Sequence, residues 1–201
     1  MSTRTAARQY WVAIRAMIIF TAVLGVAYTV VITGIGQAVL PAKANGSLIE
    51  VDGETVGSSL IGQAFTDDDG AALPEWFQSR PSAAGDGYDG SASSGSNYGP
   101  ESEDLLAAIE ERQAAIVELE GVDAREIPAD ALTASASGLD PHISPEYALL
   151  QVARVAEARG LAEADVRALV EEHSQSRDLG FLGEETVNVL ELNVALAELE
   201  D

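Results

Sequence analysis

The sequence predicts an α+β fold in which one N-terminal transmembrane helix is followed by a single mixed α+β domain. Three observations carry this prediction: a long uncharged apolar run near the N-terminus, a tight-turn signal between two short alternating segments, and later segments with helical periodicity. A chain of 201 residues has room for one domain and an appendage of this kind.

The transmembrane helix is predicted over residues 16–42, the uncharged run between Arg15 and Lys43. Crossing the hydrocarbon core requires about 20 largely apolar residues, so this run is long enough. A cleaved signal peptide is the alternative, because residues 42–44 fit a small-x-small cleavage pattern. We favour the uncleaved anchor, since the apolar part of a signal peptide is usually only about 7–15 residues long.

The basic residues before this run predict its direction across the membrane. Arg4, Arg8 and Arg15 all precede the first acidic residue, Glu50. Because positively charged flanks stay on the cytoplasmic side, residues 1–15 are predicted to be cytoplasmic and residues 44–201 to be extracytoplasmic. The predicted location is therefore the cell membrane, in contact with membrane lipid.

The charge of the chain is strongly negative, with 33 acidic residues, 11 basic residues and a net charge of −22. From residue 44 onward, seven arginines against all 33 acidic residues leave a charge of −26. Halophilic proteins carry such a charge to stay soluble in concentrated salt, so we interpret it as a halophilic adaptation. The acidity also argues against a nucleic-acid partner, because no basic patch exists to meet phosphates.

The external domain begins with a predicted β-hairpin and a long loop. Asp52-Gly53 lies between two alternating segments, and a tight hairpin turn needs positive φ at its centre. Residues 67–100 are rich in glycine, serine and aspartate, which predicts a loop without regular structure. Loops of this length are usually functional or disordered.

Three helical segments are predicted after this loop. The first begins at the N-cap Ser102 and runs to about Leu119. The second begins at the N-cap Ser144, with a proline at its first position, and stops at Gly160. The apolar stripes comprise Leu105, Leu106, Ile109, Ile116 and Val117; Ala148, Val152, Val155 and Ala156; and Val166, Leu169, Val170 and His173, which closes the third helix.

The C-terminal region is predicted to contain a turn and one closing element. Residues 180–183 read Gly-Phe-Leu-Gly, which is typical of a turn. The largely apolar run from Val187 to Leu199 predicts a helix, or a strand followed by a helix.

The segment from Thr133 to Pro145 raises the question of a hydrolase, because it holds Ser135, Ser137, Asp140 and His142. A catalytic triad needs its members to meet in space, and sequence neighbours rarely do so. The chain also has no G-x-S-x-G motif. We therefore predict a structural turn capped by the aspartate, with an exposed histidine and no catalysis.

Metal and nucleotide motifs are equally weak. Asp67-Asp68-Asp69-Gly70 lacks the spacing of an EF-hand loop, so a solvated acidic turn is predicted there. The two histidines have no cysteine partners for zinc, and His173 is predicted to be a half-buried residue at a helix C-terminus. The glycine-rich residues 94–100 lack the G-K-[ST] of a phosphate-binding loop. No catalytic and no metal-binding residue is predicted.

A series of motifs nevertheless resembles the C subunit (KdpC) of Kdp-type potassium-transporting P-type ATPases, in order and spacing over about 150 residues. The matching stretches are Leu40-Pro41, Ala44–Ile49, Gly57–Gln63, Phe65, Trp76-Phe77, Arg80–Ser82, Tyr88-Asp89, Ala92–Asn97, Thr133–Asp140, Ile143–Pro145, Gln151, Arg154–Ala156, Gly180–Gly183, Val187–Val189 and Leu192-Asn193.

The resemblance implies an accessory subunit without enzymatic activity of its own, required for assembly of an ATP-driven potassium importer. Its implied partners are a channel-like potassium-binding subunit and an ATP-hydrolysing P-type subunit. The family has been described as a catalytic chaperone that raises the ATP affinity of the hydrolysing subunit. A nucleotide-linked glutamine of the family matches Gln151, so ATP is implied as a ligand there, and no other cofactor is expected.

The predicted topology conflicts with that nucleotide role, because it puts Gln151 outside the cell and ATP inside. An external stabilising role at the channel subunit, with the 133–145 segment presented at a subunit interface, fits the topology better. Two alternatives stay open. A surface hydrolase would lose its activity on His142→Ala, and a ligand-binding module would show saturable binding.

Overall fold

The computed structural model describes the backbone of residues 3–199 and the side chains of residues 6–199. The chain divides into two compact units, residues 1–48 and 49–201. The predicted α+β class is confirmed: one long apolar helix near the N-terminus precedes a domain built from helices and small antiparallel sheets.

The N-terminal unit is a nearly continuous helix made of α1 (Thr3–Phe20), a π-helical stretch (Thr21–Ala27) and α2 (Tyr28–Val39). Its span Ala6–Val39 contains an 18-residue stretch with a mean hydropathy of 2.3, and it is long and apolar enough to cross a membrane. The Thr29 hydroxyl donates a hydrogen bond to the Gly25 carbonyl oxygen (3.0 Å) in the π-helical stretch. This bond gives a hydrogen-bond partner to a backbone carbonyl oxygen in a turn that is wider than an α-helical one.

The helix ends at Val39, three residues before the predicted end at residue 42. Pro41 explains the difference, because a proline disfavours helical backbone at the preceding residue, and Leu40 has φ −134° and ψ 55°. A short helix α3 (Pro41–Ala44) follows. The side-chain amides of Gln37 and Asn45 exchange two hydrogen bonds of 3.2 and 3.1 Å across this break.

The predicted hairpin is present as strands β1 (Leu48–Val51) and β2 (Glu54–Ser58). Asp52 (φ 53°) and Gly53 (φ 82°) form its turn, and both have the positive φ that a two-residue hairpin loop requires. Residues 59–102 then contain no helix and no strand beyond isolated bridges, so the prediction of a long loop over residues 67–100 is confirmed.

Helix α4 (Glu103–Glu120) begins after Ser102 as predicted, although the Ser102 side chain makes no capping hydrogen bond. Ile116 is its one buried residue, and Leu105, Ile109 and Val117 are half-buried. The prediction that Leu106 belongs to the buried stripe is wrong, because this side chain is 54% exposed. A 3₁₀ turn (Ala124–Glu126) and the short helix α5 (Ala129–Leu132) follow.

The next two helices agree with the predictions. In α6 (Pro145–Arg159), the Ser144 hydroxyl caps the N-terminus by accepting a bond from the Tyr147 amide, and Gly160 (φ 68°) ends the helix. The apolar stripes of α6 and of α7 (Glu163–Glu172) are buried against the domain core. His173 follows α7 as a half-buried C-cap residue, with its Nδ1 atom 3.0 Å from the Leu169 carbonyl oxygen.

A small antiparallel sheet and a final helix complete the domain. The strands β3 (His142–Ile143), β4 (Ser174–Gln175) and β5 (Thr186–Asn188) pair in the order β3-β5-β4. Helix α8 (Val189–Glu198) begins directly after β5, with the Asn188 side chain as its cap. The prediction of a turn at residues 180–183 and a closing strand-helix is therefore confirmed.

Candidate functional site

Gln151 lies in the middle of α6 and is fully buried, with 0% of its surface exposed. Its Oε1 atom accepts hydrogen bonds from the Gln78 backbone amide (2.6 Å) and from Nη2 of Arg154 (2.9 Å). Its Nε2 atom donates to the Gln78 carbonyl oxygen (3.1 Å). The side chain therefore satisfies both backbone groups of one residue in the long loop.

Asn193 on α8 makes the same kind of contact with the neighbouring loop residue. Its Oδ1 atom accepts from the Phe77 amide (2.9 Å), and its Nδ2 atom donates to the Phe77 carbonyl oxygen (3.0 Å). Asn193 and Phe77 are both buried. Two helices thus supply one amide side chain each to hold consecutive loop residues, which satisfies backbone groups that would be unpaired in the interior.

Arg154, one helical turn after Gln151, forms a buried ion pair with Glu120 at the end of α4. Its Nε atom lies 2.9 and 3.0 Å from the two carboxylate oxygens of Glu120. The two side chains are only 8% and 1% exposed. Burial raises the pKa of Glu120 above its ordinary value, despite the opposing effect of Arg154, because removal from water disfavours the charged carboxylate.

The guanidinium of Arg154 also binds the long loop. Its Nη1 atom donates to the carbonyl oxygens of Pro74 (2.6 Å) and Trp76 (3.0 Å). The Gln78 side chain donates to three carbonyl oxygens of the same loop, at distances of 2.9 to 3.2 Å. The guanidinium of Arg159 lies 4.1 Å from the centre of the Trp76 ring, a cation–π distance. We name Glu120, Gln151, Arg154 and Asn193 the loop-anchoring cluster.

Other residues of the same long loop form hydrogen bonds with the segment 133–145. The Ser82 hydroxyl donates to the Gly138 carbonyl oxygen (2.6 Å), and the Ser94 amide donates to the Ser137 carbonyl oxygen (2.9 Å). Gly138 has φ 68°, and a Cβ atom there would lie 2.6 Å from the Ser94 carbonyl oxygen. This close approach requires glycine at position 138.

Asp140 organises the exit of this segment. Its carboxylate accepts from Nη1 of Arg80 (2.9 Å) and from the His142 amide (3.0 Å), and the Nδ1 atom of His142 lies 3.3 Å away. Burial raises the pKa of Asp140, but the hydrogen bonds from His142 and Arg80 together outweigh it and leave the pKa below its ordinary value. Asp140 therefore caps this turn in its charged form, as the sequence predicts.

The structure does not bring the serines of this segment to His142. The Ser137 hydroxyl accepts from the Leu139 amide (3.1 Å), and the buried Ser135 hydroxyl has no hydrogen-bond partner among the described residues. The Nδ1 atom of His142 faces Asp140, and its side chain is 35% exposed. A serine nucleophile needs a hydrogen-bonded base and access for substrate, and neither serine has both.

The acidic stretch 67–70 forms a closed turn. The Asp67 carboxylate accepts from the amides of Asp69 (3.0 Å) and Ala71 (2.8 Å), as an aspartate does in an Asx turn. Within residues 3–199 no group of three or more His, Cys, Asp and Glu side chains is placed to hold a metal ion.

Comparisons with known proteins agree with these features. The family model described as "KdpC: K+-transporting ATPase, c chain" matches residues 10–198. A protein of Kineococcus radiotolerans named "Potassium-transporting ATPase KdpC subunit" is 57% identical over 180 residues, which cover 90% of this chain and 88% of that protein. The chain belongs to the KdpC family.

Two further KdpC subunits show the extent of the similarity. The Gemmatimonas aurantiaca protein is 54% identical over 191 residues, with 92% of each chain covered. The Mycobacterium bovis protein is 48% identical over 193 residues, which cover 96% of this chain and 99% of that one. The KdpC similarity thus spans both units of the chain, and the predicted family resemblance is confirmed.

Sequence reasoning singled out Gln151 in this KdpC chain but missed its surroundings. Asn193 and Arg154 appeared only among the residues of the family resemblance, and Glu120 and Gln78 were not singled out. One local signal was available: Gln151 and Asn193 are amide residues within apolar helical runs. Such a residue is buried only if a partner satisfies its amide.

Proposed function

We propose that this KdpC chain is a non-catalytic accessory subunit of an ATP-driven potassium import complex. The observation that carries the proposal is the family match over residues 10–198. Its support from the structure is that the polar side chains singled out for chemistry in the domain make internal contacts: Gln151 with Gln78, and Asp140 with Arg80 and His142. Such contacts stabilise a fold, and they leave few of these polar atoms available to bind a substrate.

The proposed partners are a channel-like potassium-binding subunit and an ATP-hydrolysing P-type subunit. The relatives carry the name of a potassium-transporting ATPase subunit, which supports a complex of this kind. To test it, we would purify the tagged chain from its native membrane in mild detergent. We expect two larger membrane proteins to co-purify, together with potassium-stimulated ATP hydrolysis. A solitary chain without that activity would refute the proposal.

His142→Ala in the same complex separates this proposal from a surface hydrolase. An accessory subunit should retain potassium-stimulated ATP hydrolysis within about twofold of the wild type, because His142 lies outside the buried core and its loss should change stability only modestly. A hydrolase that used His142 as its base would lose about 10³-fold or more of its activity, since the residues of a triad act as a unit.

We further propose that the N-terminus is cytoplasmic and residues 44–201 are extracytoplasmic, as the arginine flank of the membrane span indicates. The chain contains no cysteine, so single cysteines can be introduced for labelling. In intact cells, an impermeant maleimide should label Glu118→Cys and leave Ala7→Cys unlabelled. The reverse labelling pattern would overturn the topology.

For Gln151 we infer a structural role, in which its amide holds Gln78 instead of contacting ATP. The supporting observation is that both polar atoms of the buried amide are engaged. The role of the family in raising ATP affinity stays a prediction for this chain. If it operates here, we propose that it acts through contacts between subunits, because the proposed topology separates Gln151 from cytoplasmic ATP.

The acidity of the domain is proposed to be an adaptation to salt. Ions screen repulsion among the 33 acidic residues, with a Debye length of about 3 Å at 1 M salt against about 10 Å at 0.1 M. The melting temperature of the full chain should therefore rise as KCl increases from 0.1 to 2 M. A melting temperature that is unchanged or lower at 2 M would contradict the adaptation.

A further inference from the structure

The loop between β4 and β5 exposes three large apolar side chains at one point of the domain. Leu179 is 83% exposed, Phe181 is 69% exposed and Leu182 is 49% exposed. We name these three residues the apolar tip. Single exposed hydrophobic residues are ordinary, but adjacent ones in a short loop form a patch of the kind that marks interaction sites.

The backbone around the apolar tip has a defined shape. The Gly180 amide donates to the Arg177 carbonyl oxygen (3.0 Å), and the Leu182 amide donates to the Asp178 carbonyl oxygen (2.9 Å). The side chains of Arg177 and Glu184 form an ion pair across the base of the loop. The apolar side chains are therefore presented to solvent by a closed turn.

Leu179 adds backbone strain to this turn. Its φ of 53° lies in the left-handed region, which disfavours side chains other than those of glycine, asparagine and aspartate. A folded chain keeps such a conformation only where the surrounding structure imposes it, and strained positions are common at binding sites. Here the strained residue is also the most exposed of the three apolar ones.

The charges around the apolar tip decide which occupant it fits. Asp178, Glu184, Glu185 and Glu146 are acidic and exposed, and Arg177 is the basic residue among them. Arg177, Glu146, Glu184 and Glu185 line a groove of about 410 Å³ beside the loop. We name the four acidic residues the acidic collar.

An acidic collar argues against a bilayer and against a second copy of this chain. Segments that bind membrane surfaces carry lysine and arginine, which attract anionic headgroups, whereas carboxylates are repelled by them. Two copies would bring like collars together on chains that each carry −22. A different protein that carries a basic rim around an apolar socket would complement both the charge of the acidic collar and the surface of the apolar tip.

We propose that the apolar tip docks into an apolar, basic-rimmed socket on the extracytoplasmic face of another subunit of the potassium-transporting complex, with Phe181 as the anchor and the acidic collar pairing with the rim. This inference rests on the proposed function. Buried aromatic anchors contribute much of the affinity of an interface, while rim charges contribute mainly orientation and association rate.

The first test compares two serine variants of the full chain in the complex, Phe181→Ser and Leu106→Ser. We expect Phe181→Ser to reduce the amount of partner subunits that co-purify by at least about tenfold at limiting protein concentration. Leu106→Ser is the matched control, because Leu106 is a similarly exposed apolar residue on α4. An equal loss with both variants, or no loss with Phe181→Ser, would overturn the proposal.

The wild-type chain in that experiment separates the inference from the proposed function. If the wild-type chain brings down no membrane partners, the proposed function fails. If the wild-type chain and Phe181→Ser retain the same partners equally well, the apolar tip is not the docking element, and the function stands.

The second test asks what covers the apolar tip. Leu179→Cys, labelled with a polarity-sensitive fluorophore, keeps Phe181 in place in a chain without other cysteines. We expect a blue shift in the assembled complex and none for the labelled chain alone in nanodiscs of mixed zwitterionic and anionic lipid. A blue shift in nanodiscs alone would show the bilayer as occupant, and no shift in either sample would show a free loop. Either result overturns the proposal.

The third test concerns the acidic collar. Glu185→Lys should weaken co-purification about threefold at 0.1 M salt and have a smaller effect at 1 M salt, because screening shortens the range of the interaction. Glu110→Lys makes the same charge change on the exposed face of α4 and should have no effect. Equal effects of the two variants, or a Glu185→Lys effect that does not depend on salt, would contradict a basic rim.

Discussion

The long loop 59–102 and the short loop 176–185 are both irregular, yet Phe77 in the long loop is buried and Phe181 in the short loop is exposed. In the long loop, Phe77 is fully buried, and its backbone and that of Gln78 are bound by amides from two helices. In the short loop, Leu179 and Phe181 face solvent, and the turn is closed by its own hydrogen bonds. The part of the long loop around Phe77 therefore belongs to the core, whereas the tip of the short loop is free to contact a partner.

This contrast predicts different effects of substitution in the two regions. Changes in the loop-anchoring cluster should lower the stability of the chain itself, because they leave buried groups unpaired. Changes in the apolar tip should leave the isolated chain intact and act only on the complex.

The largest effect is expected for Arg154→Ala. It leaves the Glu120 carboxylate buried without its partner, and breaking a buried ion pair in this way lowers the free energy of unfolding by about 3–5 kcal/mol. Chemical denaturation of the full chain in detergent measures the change. Arg167→Ala is the control, because its pair with Glu163 is exposed and should be worth about 0.5 kcal/mol or less. Similar losses for both variants would contradict the contrast.

Gln151→Ala and Asn193→Ala come next, with an expected loss of about 2–4 kcal/mol each. Both substitutions remove a buried side chain and leave one backbone amide and one carbonyl unpaired in the interior. The same denaturation experiment checks this prediction. A near-zero change for Gln151→Ala beside a large change for Asn193→Ala would show that the two amides are not equivalent anchors.

Asp140→Asn should have a moderate effect that depends on pH. The folded-state pKa of Asp140 is lowered, so its charge stabilises the fold above the ordinary carboxyl pKa of about 4, and this contribution is lost as the pH falls through the folded-state value. We expect the wild type to be more stable than Asp140→Asn by about 1 kcal/mol at pH 7, and the gap to narrow below about pH 4. A gap that stays constant from pH 7 to pH 3 would show that the charge of Asp140 is not what stabilises the turn.

The smallest effect on the isolated chain is expected for Phe181→Ser. An exposed side chain without contacts in the core should change the free energy of unfolding by about 0.5 kcal/mol or less. Denaturation of the isolated chain at the same salt concentration measures it. A loss above about 1 kcal/mol would place Phe181 in contacts that stabilise the fold itself.

Much of the fold was predictable where the signal is local. Ser144, Pro145 and Gly160 mark the ends of α6, because a cap, a helix-compatible proline and a left-handed residue each act within one turn. The Asp52-Gly53 turn was predictable for the same reason. Leu106 was mispredicted because periodicity reports that a helix has an apolar face but not whether another element covers all of it.

The loop-anchoring cluster could not be assembled from the sequence. Gln151 and Gln78 are 73 residues apart, and Asn193 and Phe77 are 116 residues apart. Nothing in the local pattern of residues 59–102 says that their backbone is bound by side chains of α6 and α8. Gln151 was found by family resemblance, and its contacts became apparent only when the helices were placed beside the loop.

The central claim is that Gln151 acts by holding the long loop in an accessory subunit. The most direct test is the KM for ATP of complexes carrying Gln151→Ala or Asn193→Ala, purified at low temperature and normalised to intact complex. If Gln151 holds the loop, both variants should lower the yield of complex and leave the KM for ATP within about twofold of the wild type. A KM raised about tenfold by Gln151→Ala, with Asn193→Ala unchanged, would contradict it and support a contact between Gln151 and the nucleotide.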